Sequence, residues 1–397
     1  MNNELLELNN IAKTEGATYN KKRYVYNDVS LEIGKKTFIA IIGPRGSGKT
    51  VLLRQLASDI DNSFYISLDS VILDKSLFDI AKELVNKGIK CLLLDEIHFL
   101  SNYERELKKI YDFLNIQIMF TGSLSISLYS SVYDLSRRVK QYLMLPFSFN
   151  EYLYFKDINV EKISYDDFVD PQKSKEYYGK TIAYEGMFDD YIQGGLYPFT
   201  INGLDIALFS NILNKIIQKD IIQTTDLTLE DVQKIIKVVK FIGLSPVEDM
   251  NYSSISSNTK ISRYKVEKYI ELLEKAFILN VIKPKGTNVT REPKILMNLP
   301  YRLLYKPLEL CIGDIREDFF VEASIMNGLD INYLKNPRGE KTPDYYIRKY
   351  DVIFEVGGKH KNLTQFKGIK SKHKFVLTHP GQHDYMKRPL FMFGMLQ

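Results

Sequence analysis

Cysteine is scarce in this chain. Its 397 residues include two, Cys91 and Cys311, each beside aliphatic neighbours. That excludes a disulfide framework and points to a reducing compartment. Long apolar runs are also missing, and no window approaches the 18 or so uninterrupted apolar residues that a membrane span requires. The opening stretch, Met1 to Asn10, is acidic and polar, without the basic-then-apolar pattern of a secretion signal. No internal repeat or low-complexity tract is present. These absences leave a cytoplasmic protein with no membrane partner as the expectation.

The composition that remains is globular: 45% hydrophobic and 26% charged residues exclude a disordered or fibrous chain. At about 150 residues per domain, the length predicts two or three domains. The net charge of +5 is unevenly spread. Residues 331–397 hold 13 Lys and Arg against 5 Asp and Glu, and four of the five histidines. A basic C-terminal stretch points weakly to nucleic acid, although a solvated lysine-rich surface gives the same count.

The apolar run from Thr37 to Ile42, bounded by glycines, reads as a buried parallel strand. Phe64 to Leu68, Lys90 to Leu94 and Ile116 to Phe120 read as further strands, with helical spacing at Val51 to Leu56, Leu77 to Val85 and Leu107 to Leu114. Strands alternating with helices predict βαβ units and an α/β fold with a parallel sheet. After Pro146 the pattern changes. Residues 150–223 read mostly as helix with a break at Gly194-Gly195. Asp231 to Leu279 reads as short helices interrupted at Gly243 and over Ser253 to Thr259. Pro284, Gly286 and Pro293 mark a linker. A helix over Ile315 to Met326, a hairpin with arms Tyr345 to Arg348 and Val352 to Val356, and a strand over Lys374 to Thr378 follow.

One motif stands out. Gly43-Pro44-Arg45-Gly46-Ser47-Gly48-Lys49-Thr50 matches the P-loop pattern without a mismatch, after a strand and before the helix that begins near Val51. Its glycines let backbone N–H groups form an anion nest, and the helix N-terminus points its positive end at the same place. Lys49 supplies a mobile charge to phosphate, and Thr50 a hydroxyl to Mg²⁺. Farther on, Cys91-Leu-Leu-Leu-Asp95-Glu96 is a buried strand ending in two acids, one suited to hold Mg²⁺ and one to orient or deprotonate water. A third strand ends Thr121-Gly122-Ser123, where a polar side chain can reach phosphate or water. Ser136-Arg137-Arg138 offers guanidinium groups for transition-state charge, or simply a solvated basic pair.

Together with Leu145-Pro-Phe-Ser-Phe-Asn-Glu-Tyr-Leu153 these motifs resemble the archaeal-type ATPases, a prokaryotic AAA group with a C-terminal domain related to the PD-(D/E)xK nuclease fold. The Gly-Gly-x-Pro element of that family has one extra residue here, Gly194-Gly195-Leu-Tyr-Pro198. The resemblance implies Lys49 and Thr50 as the P-loop pair, Asp95 as the Mg²⁺ carboxylate, Glu96 as catalytic base and Ser123 as sensor. It implies Arg137 or Arg138 as arginine finger without choosing between them. Asp95-Glu-Ile-His98 also looks like a helicase box, but nothing after Pro146 supplies the second core that a helicase needs.

Within Ser253 to Lys283, which resembles a winged helix, Ser262 is the expected N-cap. Tyr264, Val266, Tyr269, Ile270 and Leu273 form an apolar stripe, and Arg263, Lys265, Lys268 and Lys275 lie among the polar positions, where a helix in a major groove meets phosphates or bases. The last domain resembles a nuclease core, where Asp344 and Glu355 would be the pair to share a second divalent metal; the expectation is a nuclease-like fold that is inactive in cleavage. Its lysine should fall at Gly357; the nearest is Lys359. For its helix acid, alignment picks Glu317 whereas the helical wheel favours Glu322. The expected organisation is a P-loop AAA-type core at 1–149, a helical lid at 150–225, a winged-helix-like module at 226–290 and an α+β restriction-endonuclease-like domain at 291–397. The expected function is an ATP-hydrolysing molecular switch with ATP and Mg²⁺, acting on or near nucleic acid, with double-stranded DNA as the candidate partner. An ATP-regulated DNA nuclease and a nucleotide-gated DNA-binding protein without cleavage are the alternatives. The sequence leaves the oligomeric state open.

Overall fold

Five short segments of the first 146 residues become strands: β1 (Phe38–Ile42), β2 (Ser63–Ser67), β3 (Cys91–Asp95), β4 (Gln117–Gly122) and β5 (Val139–Leu143). All pair in parallel, in the order β2-β3-β4-β1-β5. Every residue of β1, β3 and β4 is buried, as befits strands covered on both faces. Parallel neighbours need crossovers, and the helices Lys49–Asp59, Leu77–Asn86 and Tyr103–Phe113 supply them. Ser76 caps the second, its hydroxyl accepting from Asp79 N at 3.1 Å. Strand β5 has no counterpart among the sequence expectations. It is an edge strand, mostly exposed, so Val-Lys-Gln-Tyr-Leu shows no apolar run. Nor did the sequence announce two N-terminal helices, Asn3–Thr18 and Tyr24–Ser30.

The computed structural model describes residues 3–122, 135, 137–223, 225, 227–286, 292–334, 342–361 and 363–396. Ser123, the expected sensor, and Ser136 lie outside them. The chain divides into two compact units, Met1–Pro146 and Phe147–Gln397.

The second unit covers the residues of the three modules expected after residue 149. Helices Leu229–Leu244, Tyr252–Thr259 and Arg263–Lys275 are followed by an antiparallel ribbon of β6 (Leu279–Ile282) and β7 (Lys294–Met297). Two expected interruptions are helical instead. Gly243 lies inside a helix, and its missing side chain makes room for the Tyr305 ring, which a Cβ there would approach to 2.2 Å. The Ser/Asn-rich stretch forms Tyr252–Thr259, started by a reciprocal capping box between Asn251 and Ser254. The expected linker lies between two paired strands. A second sheet runs β12-β11-β10-β9-β8. Its members are β8 (Ile331–Tyr333), β9 (Tyr345–Ile347), β10 (Val352–Gly357), β11 (His373–Thr378) and β12 (Lys387–Pro389). The expected hairpin is β9–β10, paired antiparallel, whereas β10, β11 and β12 run parallel. The helix Leu308–Met326 packs on β10, and its Phe319 and Phe320 join Tyr345, Phe354 and Phe393 in the buried aromatic core.

Candidate functional site

The order of the first sheet sets β1, β4 and β3 side by side, so the chain turns that follow them share one edge. In open parallel sheets that edge is where ligands bind. The P-loop leaves β1 there. Gly46 and Gly48 have φ of 84° and 94°, values that an L side chain rarely adopts. A Cβ on Gly43 would come within 2.1 Å of Met144 O. Lys49 is buried, and its ammonium donates to the carbonyls of Gly43 at 2.8 Å and Pro44 at 2.9 Å. Ser47 Oγ is fully buried without a hydrogen-bond partner. A glycine cradle at a helix N-terminus, an internal ammonium and an orphaned hydroxyl are a donor set that fits phosphate.

Strand β3 delivers Asp95 and Glu96 beside it. Asp95 is buried and held by two hydroxyls: Tyr65 donates to Oδ2 at 2.9 Å and Thr121 to Oδ1. Thr121 in turn accepts from Glu96 N at 2.9 Å. One hydroxyl on β4 therefore fixes both the carboxylate and the backbone of the next residue. Glu96 has φ of 54°, a left-handed conformation that turns its side chain away from the strand line. Its Oε2 lies 3.4 Å from His98 Nδ1. Burial, with Asp95 alongside, pushes the Tyr65 hydroxyl well above its ordinary pKa, so Tyr65 remains a donor. The oxygens of Asp95 and Thr50 are hard ligands of the type Mg²⁺ takes.

Sequence reasoning missed Tyr65 and Arg23, and at the end of β4 it named Ser123 without giving Thr121 a role. Thr121 and Tyr65 are strand residues whose value appears only once the strands are ordered. Arg23 comes from the N-terminal segment: its guanidinium donates to Ser47 O at 2.5 Å, Leu145 O at 2.7 Å and Pro146 O at 3.4 Å. It ties the P-loop backbone to the end of the unit, and nothing in its sequence neighbourhood signals this.

The two arginines lie elsewhere. Arg138 immediately precedes β5, whose Val139 pairs with Phe38 at the start of β1, whereas the P-loop follows the end of β1. At about 3.3 Å per residue that is roughly 13 Å away along the strand. Arg138 is also engaged by Asp112, Nη2 to Oδ1 at 3.1 Å. Within one chain neither Arg137 nor Arg138 is brought to the phosphate edge.

In the second unit, Asp344, Glu355 and Glu317 do come together. Asp344 accepts from Val356 N at 2.8 Å. Glu355 pairs with Lys361 at 2.5 Å, and Glu317 with Lys294 at 2.5 Å, taking a further bond from the Tyr345 hydroxyl at 2.7 Å. Burial and the neighbouring Glu317 and Glu355 charges push the Asp344 carboxyl well above the usual range. Glu322 has a different task, accepting from Leu299 N at 3.0 Å. The cation beside Glu355 is Lys361, not the expected Lys359. Strand β10 ends at Gly357, where the chain turns (Lys361 N to Gly358 O, 3.0 Å) and the Lys361 side chain crosses the face left open by Gly357. Among the described residues, no group of three or more His, Cys, Asp or Glu is placed to hold a metal ion.

On the helix Arg263–Lys275, Ser262 makes no side-chain cap and Tyr264 is exposed, while Val266, Tyr269, Ile270 and Leu273 are buried. Arg263 pairs with Glu267 and Glu292, Lys265 with Asp231, and Lys275 with Glu271.

Residues 35–153 match the family described as AAA domain. Most of the first unit lies within that match. Beyond it, residues 186–298 match a domain of unknown function. An uncharacterized protein of Methanocaldococcus jannaschii is 29% identical over 357 residues, 78% of this chain and 74% of that protein. A phosphonates import ATP-binding protein of Oceanobacillus iheyensis is 40% identical over 80 residues, 20% of this chain and 28% of its own length. The Walker-type ATPase of Pyrococcus abyssi superposes with a TM-score of 0.36 at 16% identity, over 70% of this chain and 93% of that one. The AAA match agrees with the expected P-loop ATPase class for this part of the chain. Among the described residues, no helix is long and apolar enough to cross a membrane.

Proposed function

We propose that the AAA domain binds ATP with Mg²⁺ and hydrolyses it, so that the protein works as an ATP-driven switch. The observation that carries this reading is the convergence at one sheet edge of the glycine cradle after β1, the carboxylates after β3 and Thr121 at the end of β4. In it, the backbone from Gly43 to Gly48, with Pro44, Arg45 and Ser47, wraps the phosphates and Val51 continues the helix. Lys49 supplies charge to the terminal phosphates. Thr50 and Asp95 hold Mg²⁺, which when bound neutralises charge on phosphate oxygens. Glu96 orients and deprotonates the attacking water, while Tyr65 and Thr121 hold Asp95 and Arg23 steadies the loop. Ser123 retains its sensor role as a proposal. An arginine finger drawn from Arg137 or Arg138 would have to act from a second copy.

Steady-state ATP turnover with Mg²⁺, with and without duplex DNA, beside Glu96→Gln, tests this. Turnover that disappears in the variant supports the assignment. Equal turnover in both removes Glu96 from its role.

A second reading concerns the second unit. Three helices followed by the β6–β7 ribbon have the element order of a winged helix, and the β8–β12 sheet bearing Asp344 and Glu355 favours a nuclease-like fold. We therefore keep nucleic acid as the proposed partner. The paired state of Arg263, Lys265 and Lys275 argues against the helix Arg263–Lys275 as the contact surface. Stimulation of turnover by duplex DNA is the expected sign.

A further inference from the structure

A nuclease-like sheet implies a divalent cation between the helix acid and the two strand acids, and the residues here do not fit one. Two lysines already stand on those acids. Lys361 Nζ lies 2.5 Å from Glu355 Oε1, and the Glu355 side chain is fully buried. Such a lysine alone is compatible with a metal-dependent site, where an ammonium often borders the cluster. Lys294 is the residue that is not. It comes from β7, outside the sheet, and its Nζ lies 2.5 Å from Glu317 Oε2, with both side chains about nine-tenths buried. The Tyr345 hydroxyl donates to that same Glu317 Oε2 at 2.7 Å, and one oxygen of Asp344 is taken by Val356 N at 2.8 Å. A divalent cation on Glu317 would either replace Lys294, leaving a buried ammonium without its carboxylate, or sit on Oε1 beside that ammonium and set a second positive charge against it; an uncompensated buried charge is among the costlier defects in a protein.

We infer that the acidic cluster of Glu317, Asp344 and Glu355 takes its positive charge from Lys294 and Lys361 instead of a divalent metal, and is a built-in ion-pair core, not a cleavage centre. Lys294 also ties the β6–β7 ribbon to the helix Leu308–Met326. The inference does not depend on the ATPase reading.

The test uses the full chain without nucleotide, with Mn²⁺ as the probe. Wild type is expected to show no saturable Mn²⁺ binding that Asp344→Asn/Glu355→Gln removes, and no rise in melting temperature with added Mn²⁺. Lys294→Met should lower the melting temperature by roughly 10 °C, and adding Glu317→Gln to it should restore most of that loss. If Lys294→Met alone does not fold, Glu317→Gln alone against the double variant reads the same coupling. Saturable Mn²⁺ binding by wild type that the Asp344/Glu355 double variant abolishes would overturn the inference. So would a Lys294→Met/Glu317→Gln protein no more stable than either single variant.

Discussion

The two clusters of this molecule use the same residue types to opposite ends. At the edge of the first sheet Lys49 donates to the Gly43 and Pro44 carbonyls, and Asp95 accepts from the Tyr65 and Thr121 hydroxyls. In the second unit the ammonium groups of Lys294 and Lys361 rest on the carboxylates themselves. Carbonyls and hydroxyls hold a charge in position without cancelling it, so the charge stays available to a ligand of opposite sign. A carboxylate cancels an ammonium, and the pair then serves packing. Partner chemistry, more than the presence of Lys, Asp or Glu, separates a reactive site from a structural one.

The comparison breaks or sharpens at several positions. Lys49→Met should lower ATP turnover by roughly 10²–10³-fold while leaving the melting temperature within about 2 °C. A large stability loss instead would place Lys49 in the structural class. Arg302→Met tests the paired class from the other side. Arg302 and Asp318 are fully buried, with Nε to Oδ2 at 2.5 Å, and Arg302 also holds the Ile242 and Ser245 carbonyls. Its loss should cost about 3–5 kcal/mol in denaturant unfolding and leave turnover unchanged.

Glu322 is a buried acid without a cation, and burial pushes its carboxyl up to about 8. The folded state then keeps a proton that the unfolded chain gives up near 4.5. The resulting stability is fully present below that value and is lost as pH rises through about 8. Glu322→Gln should remove this decline, so unfolding curves of variant and wild type diverge between about pH 5 and 8. Parallel curves would mean that Glu322 is charged when folded.

Thr121→Val removes a neutral holder of Asp95 and Glu96, and turnover should fall roughly tenfold, the worth of one to two hydrogen bonds. Thr121→Ser should retain most of it. Lys265→Ala breaks an ion pair with a half-exposed lysine and should change stability by less than about 1 kcal/mol. Salt-dependent weakening of DNA binding by Lys265→Ala/Lys268→Ala would show instead that the pair opens for phosphate.

The P-loop and four of its strands were legible because their information is local. A strand buried on both faces shows a continuous apolar run, and a phosphate loop needs its glycines within eight residues. Edge strand β5 had no such run, and the N-terminal helices bury only a narrow stripe that includes Leu5 and Ala12. The helical wheel favoured Glu322 because that position faces the apolar core, but Glu322 accepts from Leu299 N while Glu317 is the acid that joins the cluster. Lys361 escaped because Lys359 is nearer and keeps the strand's parity, whereas the chain turns after Gly357 and brings Lys361 back instead. Lys294 escaped because its partner lies 23 residues away on another element. Tyr65, Thr121 and Arg23 belong with it: their roles follow from strand order and chain return, which no short window contains.

The N-terminal segment carries a lesson for dissecting the chain. Asn9 accepts from the backbone N–H of Tyr65 at 2.9 Å, the residue whose hydroxyl holds Asp95. Arg23 grips the P-loop at Ser47. The first thirty residues therefore brace both walls of the nucleotide crevice, though they lie outside the span 35–153 that matches the AAA domain. A fragment trimmed to that span would keep every motif residue and lose the two struts that hold them, and its weak activity would be misread as a property of the whole protein.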